Sequence, residues 1–294
     1  MRVTDRMLYE RANRDGGAAR TRLEQALARA STGQRLVHPG DDPAGAGLAT
    51  LHQAAAAQAE GIMGAVQQAS DEIAAVDTAL NDVSNGLARA RELAVQYANG
   101  AYTAEQRAMA AGEADALLKQ MLASLNTRVG NRYLMGGTLD GQPPFDAAGN
   151  YLGDTAVRQV EVAPGVMQDA SVRADVALKG VGGGVDVLGV ITSLATALRT
   201  NDQAGVRALI TPLATSTDQV SMARAQAGNA MAAFDVAAEA NRAARDEATT
   251  RAAHLTDADV IEANSQLALA QRALEASLTA TATGFRLTLL NYLK

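Results

Sequence analysis

The chain has no cysteine and no tryptophan, and only three Phe and six Tyr among its 294 residues. Without thiols there are no disulfides and no thiolate metal sites. So few aromatics exclude a thick aromatic core and stacking platforms for single-stranded nucleic acid. No stretch is long and apolar enough to read as a membrane helix, because Gly, Pro, Gln or Asp interrupts the least charged regions. Charges in Met1–Glu10 occupy the place of a signal peptide's apolar core, so no cleaved signal peptide is expected. The formal net charge of −6 gives no general affinity for nucleic acid. The sign is uneven, however. Residues 1–35 carry eight Arg against four acids, and the interior is acidic.

What the sequence has in abundance is alanine, in patterns of helical period. Thr4–Ala30 reads as a first helix, which Gly33, Pro39, Gly40 and Pro43 interrupt. Asp42 followed by Pro43 is a start signal, a carboxylate cap before a proline at the first helical position. A long helix then runs to Tyr97 with an apolar stripe at Ile62, Val66, Ala69, Ile73, Val76, Leu80, Val83 and Leu87, in steps of three and four. Asn99-Gly100 stops it, and Thr103 with Gln106 has the spacing of a capping box for the next helix.

The character changes at Asn131. The run Arg132–Thr138 looks like a short strand and turn, and Pro143–Phe145 and Asn150–Asp154 are turn-rich. Val157–Val162 and Val172–Leu178 alternate apolar and polar residues, which predicts two half-buried strands. Helix resumes near Asp186. Val206, Leu213, Val220, Ala227, Phe234, Asn241, Ala248 and Leu255 follow at strict steps of seven, with mostly small companions, as in a closely packed coiled-coil seam. Thr256 with Asp259 is expected to cap a last helix, along which Leu267, Leu274, Leu278, Phe285, Leu289 and Leu293 recur. The fold expected is mainly α: a long antiparallel helical rod or coiled coil formed by both termini, with a small β-rich domain inserted mid-chain. Its expected divisions are 1–38 with 258–294, then 39–130 with 185–257, then 131–184.

Chemistry is thinly represented. His38, His52 and His254 lack ligand spacing, so no metal site is expected. Gly180–Gly184 is followed by no Gly-Lys-Ser/Thr, and no Ser, His and Asp share a nucleophile-elbow setting. No catalytic residue and no cofactor are assigned. The amphipathic ends carry the information instead. An apolar stripe needs a partner, either in an internal core or in an intersubunit seam. The pattern alone favours the internal core.

The segment Ser31–Gly45, with Arg35, Asp41 and Asp42, resembles the N-terminal signature of the flagellin superfamily. Asp257–Val260 through Gln266–Gln271, ending Leu289-Leu290-Asn291-Tyr292-Leu293, resembles the C-terminal one. The run Gly130–Thr138, then Pro144-Phe145 and Tyr151–Asp154, resembles the branch of that superfamily found at the hook–filament junction. The resemblance implies a structural, non-enzymatic protein of the bacterial flagellum, whose two ends form an inner coiled-coil layer ordered on assembly. It makes Leu23, Leu27, Arg35, Asp41, Asp42, Leu267, Leu274, Leu278, Phe285, Leu289, Leu290 and Leu293 candidate assembly residues. It further implies self-association in a ring or helical layer, contact with hook-associated protein 1 and with flagellin, and type III export. A chaperone on the C-terminal helix completes that picture. Two alternatives stand beside it: a filament flagellin, and, from another class, a secreted coiled-coil adhesin or effector.

Overall fold

The computed structural model describes the backbone of residues 2–292, with side chains described at residue 7 and over residues 9–283. Eight helices and four short strands follow one another in the order α1 (Arg2–Thr32), α2 (Pro43–Tyr97), α3 (Ala104–Leu125), β1 (Arg128–Val129), β2 (Arg132–Tyr133), β3 (Gln159–Ala163), β4 (Val166–Asp169), α4 (Ala174–Lys179), α5 (Val187–Arg199), α6 (Gln203–Ala208), α7 (Ile210–Thr256) and α8 (Val260–Tyr292). The fold is mainly α, with long helices at both ends and two antiparallel strand pairs between them, β1–β2 and β3–β4. The chain divides into one unit of residues 1–58 with 244–294 and another of residues 59–243.

The larger unit holds the main core. The stripe from Ile62 to Leu87 on α2 is buried throughout. It packs in one hydrophobic cluster with Leu93, Met121, Leu125, Leu188, Ile191, Leu194 and Leu198. The seven-step residues Val206, Leu213, Val220, Ala227, Phe234 and Asn241 are all buried too. Asn241 is the polar member of that series. Its Nδ2 donates to Val162 O in β3 at 2.7 Å and to Ala237 O one turn back, so its amide donors are satisfied in the core.

Local chemistry sets the helix ends. Asp42 Oδ1 accepts the Gly45 N–H at 2.9 Å and caps α2, with Pro43 as its first residue. Thr103 and Gln106 form the reciprocal capping box at the start of α3. The N-cap of α5 is Asp186, which accepts the Gly189 N–H.

Two readings are corrected. Val172–Leu178 is not a strand: it leads into α4, because Ala174, Ala177 and Leu178 bury together at the three- and four-residue spacing of a helical turn. The second strand of the hairpin is instead Val166–Asp169. Thr256 does not cap α8 either. Its hydroxyl donates back to Ala252 O within α7, and Asp259 Oδ1 accepts the N–H groups of Ile261 and Glu262 at the start of α8.

Candidate functional site

In the unit formed by the two ends, Thr32 closes α1 and Gly33 follows in the left-handed region at φ +69°, a conformation that suits glycine at a helix C-terminus. The chain then turns against the end of α7. Arg35 N donates to Thr256 O at 2.7 Å, Ala258 N donates to Gly33 O at 2.9 Å, and Gln34 and Asp257 form an antiparallel bridge. The Arg35 guanidinium donates to Leu255 O at 2.7 Å and lies 3.4 Å from Asp42 Oδ2. Asp41 Oδ2 accepts the His38 N–H within the turn. Arg35, Asp41 and Asp42, far from α8 in sequence, are thus set in one turn beside its start. The Gly45 N–H first, and then the Arg35 side chain, hold the Asp42 carboxyl below its ordinary range.

Beyond that turn α1 and α8 pack antiparallel: Gly16 lies opposite Ser277, as Gln34 lies opposite Asp257. Their covered positions step by four and three. On α1 these include Ala12, Gly16, Ala19, Leu23, Ala26 and Ala30, beside half-buried Ala28 and Arg29; on α8 they are Ala263, Leu267, Ala270, Leu274, Ser277 and Thr281. The seam is a coiled-coil seam built mostly of Ala, Gly, Ser and Thr. Small side chains let the helices approach closely but remove little apolar area from water.

Leu23, Leu267 and Leu274 are half-buried in this seam. Leu27 and Leu278 remain 54% and 59% exposed, and Leu51 and Ile261 reach 67% and 82%. Side chains at Phe285, Leu289 and Leu290, and all of Leu293, lie outside the described residues. On one flank of the hairpin Arg22, Gln25 and Arg29 face Leu269 and Ala273 across a groove of about 320 Å³. The four exposed aliphatics Leu27, Leu51, Ile261 and Leu278 all belong to the unit formed by the two ends.

The central motif, in the other unit, is a packing knot. The Tyr151 hydroxyl donates to Met135 O and Asp154 O at 3.1 and 2.8 Å. Its ring lies 5.3 Å from that of Phe145. Asn126 brackets Phe145 by accepting its N–H and donating to its carbonyl. Asp154 accepts the N–H and the hydroxyl of Thr138, which hold its carboxyl below the ordinary range. Gly137 sits at φ +71°, and a Cβ there would collide with Asp154 Oδ1. Burial pushes the Tyr151 phenol up to about 12, with Asp175 and Asp154 adding to the shift.

Several residues that order this unit carry no local signal in the sequence. Buried Glu72 of α2 pairs with Arg158 and lies 3.7 Å from Arg132, fastening the central insert to the helix. Buried Arg107 donates to Tyr97 O, Asn99 O and Asn201 Oδ1, and so collects the corner after α2 and the corner after α5. Asn201 is the one non-glycine with positive φ among the described residues. No group of three His, Asp or Glu among the described residues could hold a metal ion, and no described helix is long and apolar enough to cross a membrane.

Comparison with known proteins places this geometry. Residues 3–140 match the bacterial flagellin N-terminal helical region. Flagellar hook-associated protein 3 of Escherichia coli K12 is 30% identical over 155 residues, which are 52% of this chain and 49% of that protein. Polar flagellin F of Vibrio parahaemolyticus is 32% identical over 130 residues, 43% of this chain and 34% of that one. The chain therefore spans about half the length of the hook-associated relative it matches. The crystal structure of Bacillus cereus FlgL shares the fold, with a TM-score of 0.58 at 21% identity, over 68% of this chain and 99% of that chain.

Proposed function

We propose, from a chain that resembles flagellar hook-associated protein 3 and whose residues 3–140 match a flagellin N-terminal helical region, that it is a structural component of the hook–filament junction. It polymerises there as a ring or short helical layer and adapts hook-associated protein 1 to flagellin. It acts outside the cell after type III export without a cleaved signal peptide, and a chaperone covers α8 before export. No enzymatic step is assigned to it.

The observation that carries this reading is the terminal hairpin. Its seam of small residues buries little, while Leu27, Leu51, Ile261 and Leu278 stay in water. Burying one such side chain against a neighbour stabilises by roughly 1.5–3 kcal/mol. Fixing one backbone residue costs about 1–2 kcal/mol. Covering the aliphatics with neighbours therefore shifts the balance toward ordered ends, a contribution the free chain lacks. Within the proposed layer, residues 1–38 and 258–294 supply the inner contacts, and 131–184 the outer insert.

Deleting the gene tests the role directly. The expected cells carry hooks without filaments and release flagellin into the medium; cells with normal filaments would overturn it. A second reading, filament flagellin, has one observation in its favour, the similarity of the first half to Polar flagellin F. Purified protein decides between them. A filament subunit polymerises alone into long filaments, whereas a junction subunit needs a hook-associated or flagellin end to build on.

A further inference from the structure

The sequence contains two Asn-Gly pairs whose settings differ sharply. Asn85-Gly86 lies inside α2, and Asn99-Gly100 lies in the turn that follows it. Both asparagines are exposed, so access to the side chain does not separate them, although Gly86 is buried and Gly100 exposed. The backbone does. In α2 the Gly86 N–H is part of the helix ladder, and a glycine amide engaged that way cannot reach the preceding side chain.

At the end of α2 the last carbonyls accept hydrogen bonds from side chains. Arg107 holds Tyr97 O and Asn99 O, while Gln203 and Arg207 hold Ala98 O at 3.1 and 2.9 Å. Among the described residues no backbone carbonyl takes the Gly100 N–H. Asn99 Oδ1 accepts the Ala101 N–H at 3.0 Å, an Asx turn that folds the carboxamide over the Gly100 peptide and polarises its carbonyl. A Cβ on Gly100 would meet nothing nearer than Gln203 Nε2 at 3.7 Å, so the glycine is not required by packing.

We infer that Asn99-Gly100 is a site of spontaneous succinimide formation and isoaspartate conversion in the folded protein. The Gly100 nitrogen gives its proton to solvent base and attacks Asn99 Cγ. The new C–N bond closes a five-membered imide, the Cγ–Nδ2 bond breaks, and Nδ2 leaves as ammonia with a returned proton. Water then opens the ring at either carbonyl. Opening at the Cγ side gives aspartate. Opening at the backbone carbonyl gives isoaspartate, in which the former Asn99 carbonyl becomes a free carboxylate. That carbonyl is the group Arg107 Nη2 already holds at 2.7 Å. Arg107 has no carboxylate partner among the described residues, so opening toward isoaspartate supplies a buried guanidinium with a counter-charge.

The full chain, native and denatured, is incubated in mildly alkaline buffer, digested and read by mass spectrometry. Fragmentation distinguishes aspartate from isoaspartate. In the native chain Asn99 should deamidate at least an order of magnitude faster than Asn85, and in denaturant the two rates should converge. Gly100→Ala should slow the native reaction by a similar factor. The isoaspartate share at position 99 should be larger in the native than in the denatured chain. Native Asn99 reacting no faster than Asn85, while both react in denaturant, overturns the site. An equal isoaspartate share in both states overturns the part given to Arg107.

Discussion

The Arg35 guanidinium donates to the carbonyl of Leu255, 220 positions away, at 2.7 Å. One side chain of the turn after α1 thereby fastens the last turn of α7, beside the backbone bridge of Gln34 with Asp257. The end of α1 and the end of α7 are thus fastened to each other.

Arg35→Ala should cost little global stability, below about 1 kcal/mol, because the side chain is half exposed and its pairing with Asp42 is solvated. It should still loosen the turn. Limited proteolysis should show faster cleavage around residues 33–42 and 255–259, with residues 59–243 as resistant as in the parent chain. Unchanged cleavage in those turns would show that the backbone bridge suffices.

Leu278→Glu should separate folding from assembly. The side chain is mostly exposed in the single chain, so chemical denaturation should move by no more than about 0.5 kcal/mol. Polymerisation onto a hook-associated or flagellin end, followed by light scattering or electron microscopy, should be lost. A variant that assembles normally would remove Leu278 from the assembly contacts.

Arg107→Met should be among the most damaging single changes. It removes three hydrogen bonds from a charged, buried donor, each worth about 1.5–3 kcal/mol, although the exposed Asn99 and Asn201 acceptors regain water. A loss of about 3 kcal/mol or more in urea unfolding is expected. Arg107→Lys should recover only part of it, since one ammonium cannot reproduce three diverging bonds.

Gly137→Ala should destabilise by about 2–4 kcal/mol, from a left-handed backbone and a collision with Asp154 at once. Gly141→Ala, four residues on, meets nothing within 4 Å and should be close to neutral. Thermal unfolding of the two variants side by side is the measurement.

Alkaline stability should reflect Tyr151. Its phenol titrates at about 12 in the folded chain against an ordinary 10.0. A raised folded value means that the neutral phenol's contribution is complete below pH 10.0 and is lost as pH rises toward 12. Tyr151→Phe should be less stable at neutral pH, having lost both hydrogen bonds, but should show a shallower decline across that window. At the other end, the depressed carboxyls of Asp42 and Asp154 contribute above the ordinary carboxylate range. That stability is lost as acid protonates them.

The parts legible in the sequence are those where a local rule coincides with tertiary need. The α2 stripe, the seven-step series on α7, the Asp42-Pro43 start and the Thr103–Gln106 box all satisfy their requirements within a few residues, so spacing alone reveals them. Val172–Leu178 misleads because a two-residue alternation and a single helical turn look alike over so short a span. Thr256 misleads because two cap-forming residues stand three apart, and only backbone geometry says which carboxylate or hydroxyl meets the free N–H groups. Arg107, Glu72 and Arg158 are illegible for another reason. Glu72 and Arg158 are 86 positions apart, and a pairing of that span leaves no periodic trace. Of the candidate assembly residues, Arg35 and Asp42 meet in one turn, and Leu23, Leu267 and Leu274 share one seam.

Asn241 gives the seven-residue series an additional meaning. A helix with many small inward residues is held in its alignment by the few that differ, here Leu213, Phe234 and Asn241. The Asn241 amide, donated to Val162 O, has that acceptor in one alignment only. Displaced by a repeat, it would keep Ala237 O of its own helix but lose Val162 O, leaving one amide hydrogen unmet in an apolar layer. The hairpin of β3 and β4 thus acts as a vernier mark for α7, adding a polar check to the setting that its large apolar residues favour.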